Sequence, residues 1–333
     1  MAKYHVYGVG NALVDKEFEV KDEFFIENDI EKGIMTLVEY DQQDLLLRDL
    51  TDKYGVKKQA GGGSAGNTLY ALSQFGGEAF FACKVANDET GDYYLEQLGH
   101  HNIDTNVSRR VEGTSGRCLV MISPDADRTM FTYLGVSADI SLQEMDFDAA
   151  KNSEYIYIEG YLVTSPSARK AITELRDLAK ENNVKVALTF SDPAMVEYFK
   201  DEVNEAIGEG VDLLFCNEKE AMLWAGTDTL EAACEVMKTK AKQFVITRGP
   251  DGALAYDGKD FITIAGHKVK AINTNGAGDL FAGAFLYAIT AGHDFALAGK
   301  LASRASAQVV TQYGPRLDGP DHEKILGEIL AEG

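Results

Sequence analysis

The 333-residue sequence has little that would tie it to a metal, a nucleic acid or a membrane. Its four cysteines (Cys83, Cys118, Cys216 and Cys234) are scattered, with no CxxC pair or Cys/His spacing. Neither a zinc site nor a disulfide framework is expected, and they read as small, buried, reduced thiols. The six histidines (His5, His100, His101, His267, His293, His322) also lack metal-ligand spacing, and His100 and His101 face different directions at a helix end. Basic residues are in the minority, 32 against 53 acidic ones, and no Lys/Arg block interrupts the net charge of −21. Such a surface has no electrostatic basis for gripping duplex nucleic acid or anionic lipid. The most apolar helical stretch, LFAGAFLYAITAG from Leu280, is too short to span a bilayer. The opening residues lack the apolar core and cleavage site of a secretory signal, and repeats, low-complexity runs and Pro/Ser-rich linkers are missing. These absences point to a cytoplasmic chain with a small-molecule partner, and hydrophobic residues at 45% supply a sizeable core.

What is present is an alternation. Apolar runs such as YHVYGVG, EAFFACKV, EYIYIEGYL, KVALTF, DLLFCN and FVITRG are separated by helical patterns such as SARKAITELRDLAKENN. Near-continuous apolar strands divided by helices predict an α/β fold, a doubly wound and mostly parallel sheet. Two segments break the rhythm. LVDKEFEV and GIMTLV, with EFFIENDI between them, and the hairpin GRCLVMISP/RTMFTYLG form four strands without crossover helices. They predict a small antiparallel lid sheet (residues 12–45 and 113–139) on a discontinuous large domain (1–11, 46–112 and 140–333). Edge extensions of the main sheet are the alternative.

Two glycine loops carry the chemistry. In QAGGGSAGNT, residues 59–68, the spacing Gly61-x-Gly63-x-x-Gly66 matches a dinucleotide fingerprint. That motif needs a hydrophobic strand before it, and DKYGVKKQ has no strand pattern. The loop instead opens a helix with Asn67 one turn in, which suits vicinal hydroxyls; a plain helix-entry turn with Asn67 solvated is the alternative. In KVKAINTNGAGDLFAGAFLYAI, a short strand KVKAI leads through a polar turn to Gly276-Ala277-Gly278-Asp279 and an apolar helix. Free N–H groups at a helix start make an anion site without lysine, which suits an acidic protein. Asp279 is either a first-turn cap or the carboxylate that takes a hydroxyl proton during phosphoryl transfer. The triphosphate loop Gly-x4-Gly-Lys-Ser/Thr and the protein-kinase signatures are absent.

Taken together, GGGSAGNT, CNEKEA, ITRGPDGALAY and NTNGAGDLFAGAFL resemble, in order, four motifs of the ribokinase-like (PfkB-type) family of carbohydrate and nucleoside kinases. The opening GVGNALVD, the insert EFFIENDIEKGIMTLVEYDQQDLLLRDL and DADRTMFTYLG are most similar to adenosine kinase and its bacterial relatives. The resemblance implies ATP-dependent transfer of the γ-phosphoryl group to a primary hydroxyl, with the adenosine 5′-OH as first choice. Free ribose or fructose is the alternative acceptor, and a silent sugar or nucleoside sensor the alternative of another class. It implies Asp279 as general base, Gly276, Ala277 and Gly278 as anion hole, and Arg128 reaching the transferring phosphate. Asn11, Asp15, Gly62, Gly63 and Asn67 would hold the acceptor, with Tyr161 lining its cleft. Apolar walls around a base leave no spacing signature, and Met35, Leu37 and Tyr161 are named for them without one. Thr247, Gly249, Gly252 and Ser306 would line the ATP side, and Asn217 and Glu220 would organise the hydration shell of Mg²⁺. On the residues alone, Asn217 and Glu220 also read as a helix cap, Arg128 as a surface charge and Tyr161 as a core aromatic. One departure stands out. The family signature opens Asp-Thr, whereas here Asn273-Thr274 keeps the shape and loses the charge, which puts activation by K⁺ in doubt. The helical insert could cover the lid edge and favour a monomer.

Overall fold

The computed structural model describes residues 2–99, 101–106 and 110–331. His100, assigned a direction above, lies outside them. Two sheets organise the chain. The large one runs β14 (Phe261–Ile264), β13 (Ala253–Tyr256), β12 (Ala241–Thr247), β11 (Val211–Asn217), β10 (Lys185–Thr189), β9 (Ser153–Ile158), β1 (Tyr4–Val9), β5 (Ala79–Ala82), β6 (Ile103–Thr105). All neighbours are parallel except the edge hairpin β12–β13–β14. The inner strands β1, β5, β9, β10 and β11 are mostly buried because helices cover both faces. Against one face lie α3 (Ser64–Gln74), α4 (Glu89–Gly99), α11 (Ala277–Thr290), α12 (Phe295–Val309) and α13 (Gly319–Ala331). Against the other lie α5 (Phe147–Lys151), α6 (Pro166–Asn182), α7 (Pro193–Tyr198), α8 (Lys200–Ile207), α9 (Glu218–Ala225) and α10 (Leu230–Met237). The chain runs outward from β1 in both directions, so the sheet reverses there and a crevice opens at the carboxyl ends of β1 and its neighbours.

The small sheet has the order β3 (Met35–Leu37), β8 (Arg128–Tyr133), β7 (Gly116–Ile122), β2 (Leu13–Glu19), β4 (Lys58–Gly62). Its four expected strands are present, but the sheet is mixed: β2 pairs parallel with β7, and β3 with β8. The fifth strand, β4, corrects the reading of DKYGVKKQ as strandless. It escaped the pattern because its register opposite β2 is held by backbone pairing, with Lys58 and Gln59 exposed and Gly61 and Gly62 supplying no side chain. The context still fails for a dinucleotide loop, since β4 is antiparallel and belongs to the small sheet. Helices α1 (Asp22–Glu27) and α2 (Tyr40–Tyr54) give this sheet its own core, in which Phe18, Phe24, Phe25, Leu50, Leu119 and Met121 pack together. Thus residues 46–54 of α2, together with β4, assigned above to the large domain, pack with the small sheet. The stretch Lys268–Ile272 is a second correction. It is exposed irregular chain, not a strand, because β14 ends at Ile264 and offers no further pairing.

No helix among the described residues is long and apolar enough to cross a membrane, and no cluster of His, Cys, Asp or Glu could hold a metal directly. His322 is fully buried beside Tyr70 and Phe75, a core histidine.

Candidate active site

A cavity of about 590 Å³ lies between the carboxyl ends of the large sheet and the inner face of the small one. Strand ends deliver Asn11 (after β1), Glu159 (after β9), Asn217 (closing β11) and Thr247 (closing β12) to its wall. Helix starts deliver the rest: Gly63, Ser64 and Asn67 from α3, and Gly276 to Asp279 from α11.

Asp279 is held from both sides. Ser64 Oγ donates to its Oδ1 at 2.7 Å and Asn67 Nδ2 to its Oδ2 at 3.0 Å. This approach depends on Gly283, one turn along α11, where a Cβ would come within 2.3 Å of the Thr68 carbonyl oxygen on α3. A larger residue there would wedge the helices apart and part Asp279 from Asn67. Burial pushes the Asp279 carboxyl up, and the hydrogen bonds from Ser64 and Asn67 and the charges of Arg128 and Arg316 oppose it. Immediately before it, Gly276 takes a left-handed conformation (φ 76°) with its Cα face against Pro315. The turn consumes one expected anion-hole donor, because the Ala277 N–H bonds the Thr274 carbonyl at 3.3 Å. Gly278 is exposed to the cavity, with open space where a Cβ would stand. Ser306, expected on the ATP side, lines the cavity while donating to the Ala277 carbonyl at 2.8 Å, so it also braces this loop.

The first glycine loop meets β2 here. Asp15 is 5% exposed, and a Cβ on Gly62 would collide with its Oδ1 at 2.0 Å, so only glycine lets the carboxylate lie against β4. Gly63 (φ 81°) lies against the Asn11 carbonyl. Asn275 Nδ2 donates to Asp15 Oδ2 and to Glu17 Oε1, each at 3.2 Å. Glu17 is 1% exposed and also accepts from Asn273 Nδ2 at 2.9 Å and from the Gly314 N–H at 2.6 Å. Glu159 accepts from the backbone and side chain of Asn11 (3.2 and 2.9 Å) and from the Ala65 N–H at 2.8 Å.

The remaining expected residues line the same cavity. Arg128 Nη1 reaches Thr274 Oγ1 at 3.5 Å, which brings the small sheet over the anion loop. Tyr161 donates to Asp192 Oδ2 at 3.3 Å. Asn217 and Glu220 form a reciprocal capping box on α9, with three bonds of 2.8 to 2.9 Å between them. Each Glu220 oxygen keeps a lone pair, so the hard-oxygen donor set fits contact with Mg²⁺ through its waters. Gly252 (φ 87°) lies against the Ile264 carbonyl, and Gly249 faces open space. Sequence reasoning missed Ser64, Glu159, Glu17, Asn275 and Arg316. For Glu159 a signal existed, a carboxylate closing the apolar run of β9 where ligands bind.

Burial raises Asp15, Glu159 and Glu220 each to about 7, from ordinary values of 3.8, 4.5 and 4.5. For each, the unfolded chain releases its proton at its ordinary value and the folded protein only near 7. Between those points the folded state holds more protons, so stability falls as pH rises. The ligand-free protein is therefore expected to melt higher at pH 5.5 than at pH 7.5 by scanning fluorimetry. A higher melting temperature at pH 7.5 would mean that these carboxylates are stabilised as anions.

The profile of the pfkB family carbohydrate kinases matches residues 34–322. The chain is 25% identical to the guanosine-inosine kinase of Escherichia coli K12, covering 97% of this chain and 91% of the relative. It is 30% identical to the 5-dehydro-2-deoxygluconokinase of Clostridium perfringens strain 13, covering 81% and 84%. The solved adenosine kinase of Sinorhizobium meliloti superposes with a TM-score of 0.89 at 31% identity, covering 95% and 96%. With the ribokinase-like fold, these likenesses define a sugar or nucleoside kinase, a phosphotransferase acting on hydroxyl groups. The chain belongs to the pfkB carbohydrate kinase family, whose members use ATP with Mg²⁺.

Proposed function

We propose that the protein is a nucleoside kinase that phosphorylates the 5′-hydroxyl, with adenosine as first choice. The observation that carries this is the mixed lining of the cavity. It includes the polar side chains Asp15, Asn11 and Asn67 with Asp279, and also the apolar side chains Leu13, Met35, Leu37, Met130 and Leu134 with Tyr161. A ribose matches the polar set and an aromatic base the apolar set, whereas a free sugar would leave the apolar set wet.

In this reading Asp15, with Asn11 and Asn67, accepts and donates to the ribose hydroxyls and fixes the 5′-oxygen before Asp279. Gly62 and Gly63 let the backbone come close enough for that grip. Asp279 takes the hydroxyl proton as the oxygen attacks the γ-phosphorus and the bond from that phosphorus to the bridging oxygen breaks, with ADP as leaving group. The transferring group carries its charge on oxygens that face the backbone of Gly276 and Gly278 and the Arg128 guanidinium, so charge is met where it develops. Thr247, Gly249, Gly252 and Ser306 border the nucleotide, and Asn217 and Glu220 would hold the waters of Mg²⁺, which neutralises phosphate charge when bound. Seating the small sheet over the cavity would exclude competing water. The protein works as a cytoplasmic monomer in this account.

The test is ADP release with MgATP and adenosine, inosine, guanosine, cytidine, ribose, fructose or 5-dehydro-2-deoxygluconate, with product mass checked. A phosphorylated nucleoside, adenosine foremost, is the expected result. Turnover only with a sugar would overturn the acceptor and keep the mechanism. Binding without turnover would leave a sensor.

A further inference from the structure

Arg316, in the segment between α12 and α13, is used by none of these roles. It is 8% exposed and lies outside the cavity wall, packed on the first glycine loop, where a Cβ on Gly61 would stand 2.8 Å from its Nη1. Its Nε donates to Asn67 Oδ1 at 2.9 Å, and its guanidinium lies 4.8 Å from the centre of the Tyr70 ring. Among the described residues Nη1 and Nη2 have no hydrogen-bond partner, and Arg316 makes no ion pair. A buried cation left in this way is costly unless nearby charge offsets it. The carboxylates whose field it feels are those of Asp15 and Asp279.

We propose that Arg316 is the positioning residue of the general base, acting through Asn67. An Nε–H can only donate, so it selects the Asn67 amide orientation that gives Oδ1 to Arg316 and turns Nδ2 to Asp279. Without it the amide loses its partner on the Oδ1 side and is held in that orientation by the accepting Asp279 carboxylate alone. The cation also favours the ionised form of Asp279, which is the form that can accept a proton. The other charged or titratable groups facing Asp279 are Arg128, Asp15, Glu159, Tyr157 and Tyr161. Arg128 alone shares the sign of Arg316, and the two acids oppose it. Removing Arg316 therefore moves the titration of Asp279 to higher pH.

This inference rests on the reading of Asp279 as base, and the experiment separates the two. The kcat–pH profiles of Arg316→Met, Arg316→Lys and Asp279→Asn are measured with MgATP and whichever acceptor the parent phosphorylates fastest in the panel above. Arg316→Met is expected to lower kcat about 30-fold with KM within about threefold, and to move the acid limb up by roughly one pH unit. Arg316→Lys keeps the charge and loses the planar fork, so kcat falls about tenfold while the acid limb stays near the parent's. A kcat loss in Arg316→Met without movement of the limb would reduce Arg316 to a structural residue and overturn the proposal. If the Met variant does not fold, Arg316→Gln takes its place: lower kcat with the acid limb moved up supports the proposal, and parental kcat or an unmoved limb overturns it. Asp279→Asn as active as the parent would overturn the base itself. Asp279→Asn inactive beside parental Arg316 variants would overturn only the role of Arg316.

Discussion

Asp279→Asn is expected to lower kcat by about three orders of magnitude while leaving both Michaelis constants within a few-fold. Asparagine has the same shape and its Oδ1 can still accept from Ser64 or Asn67, which bind the two carboxylate oxygens in the parent. The pocket therefore keeps its form and binding survives. On the proposed reading, what is lost is the carboxylate that takes the hydroxyl proton. Steady-state kinetics with the preferred acceptor checks this. A variant within a few-fold of the parent would return Asp279 to a helix-start cap.

The second large effect falls on binding. Asp15→Ala is expected to raise the acceptor Michaelis constant about 100-fold, because two hydroxyl bonds to a buried charge are worth on the order of 3 kcal/mol. Saturating turnover should change far less. The same substitution should flatten the fall in melting temperature of the ligand-free protein between pH 5.5 and pH 7.5, since it removes one of the carboxylates that burial drives to about 7. An unchanged Michaelis constant would take Asp15 out of the pocket.

Much of this site is legible in the sequence because its parts are backbone-determined and local. The run Gly276 to Asp279 announces a helix start, and Asn217 with Glu220 announces a cap, which the structure contains as a reciprocal capping box. The parallel strands are equally readable, because burial on both faces leaves them continuously apolar. Strand β4 was not legible. Its partner β2 lies some forty residues earlier, and backbone pairing leaves no mark on exposed lysine and glutamine or on glycine. Arg316 and Glu17 stayed hidden for a related reason. Their partners Asn67, Asn273 and Asn275 are about 250 residues away, and no spacing rule spans that distance. Lys268–Ile272 misled in the other direction, its alternation being that of a chain with one side on a cavity.

The bond between Glu17 and Asn273 has a consequence for charge. The aspartate that opens the family signature would here stand within hydrogen-bonding distance of a second carboxylate, with Glu17 1% exposed and Asn273 fully buried. Two such anions repel, and neither has water to turn to. Placing aspartate at position 273 in this chain is therefore expected to force one of the two carboxyls to hold a proton, so the charge state of the pair, and not only its shape, would become a function of pH.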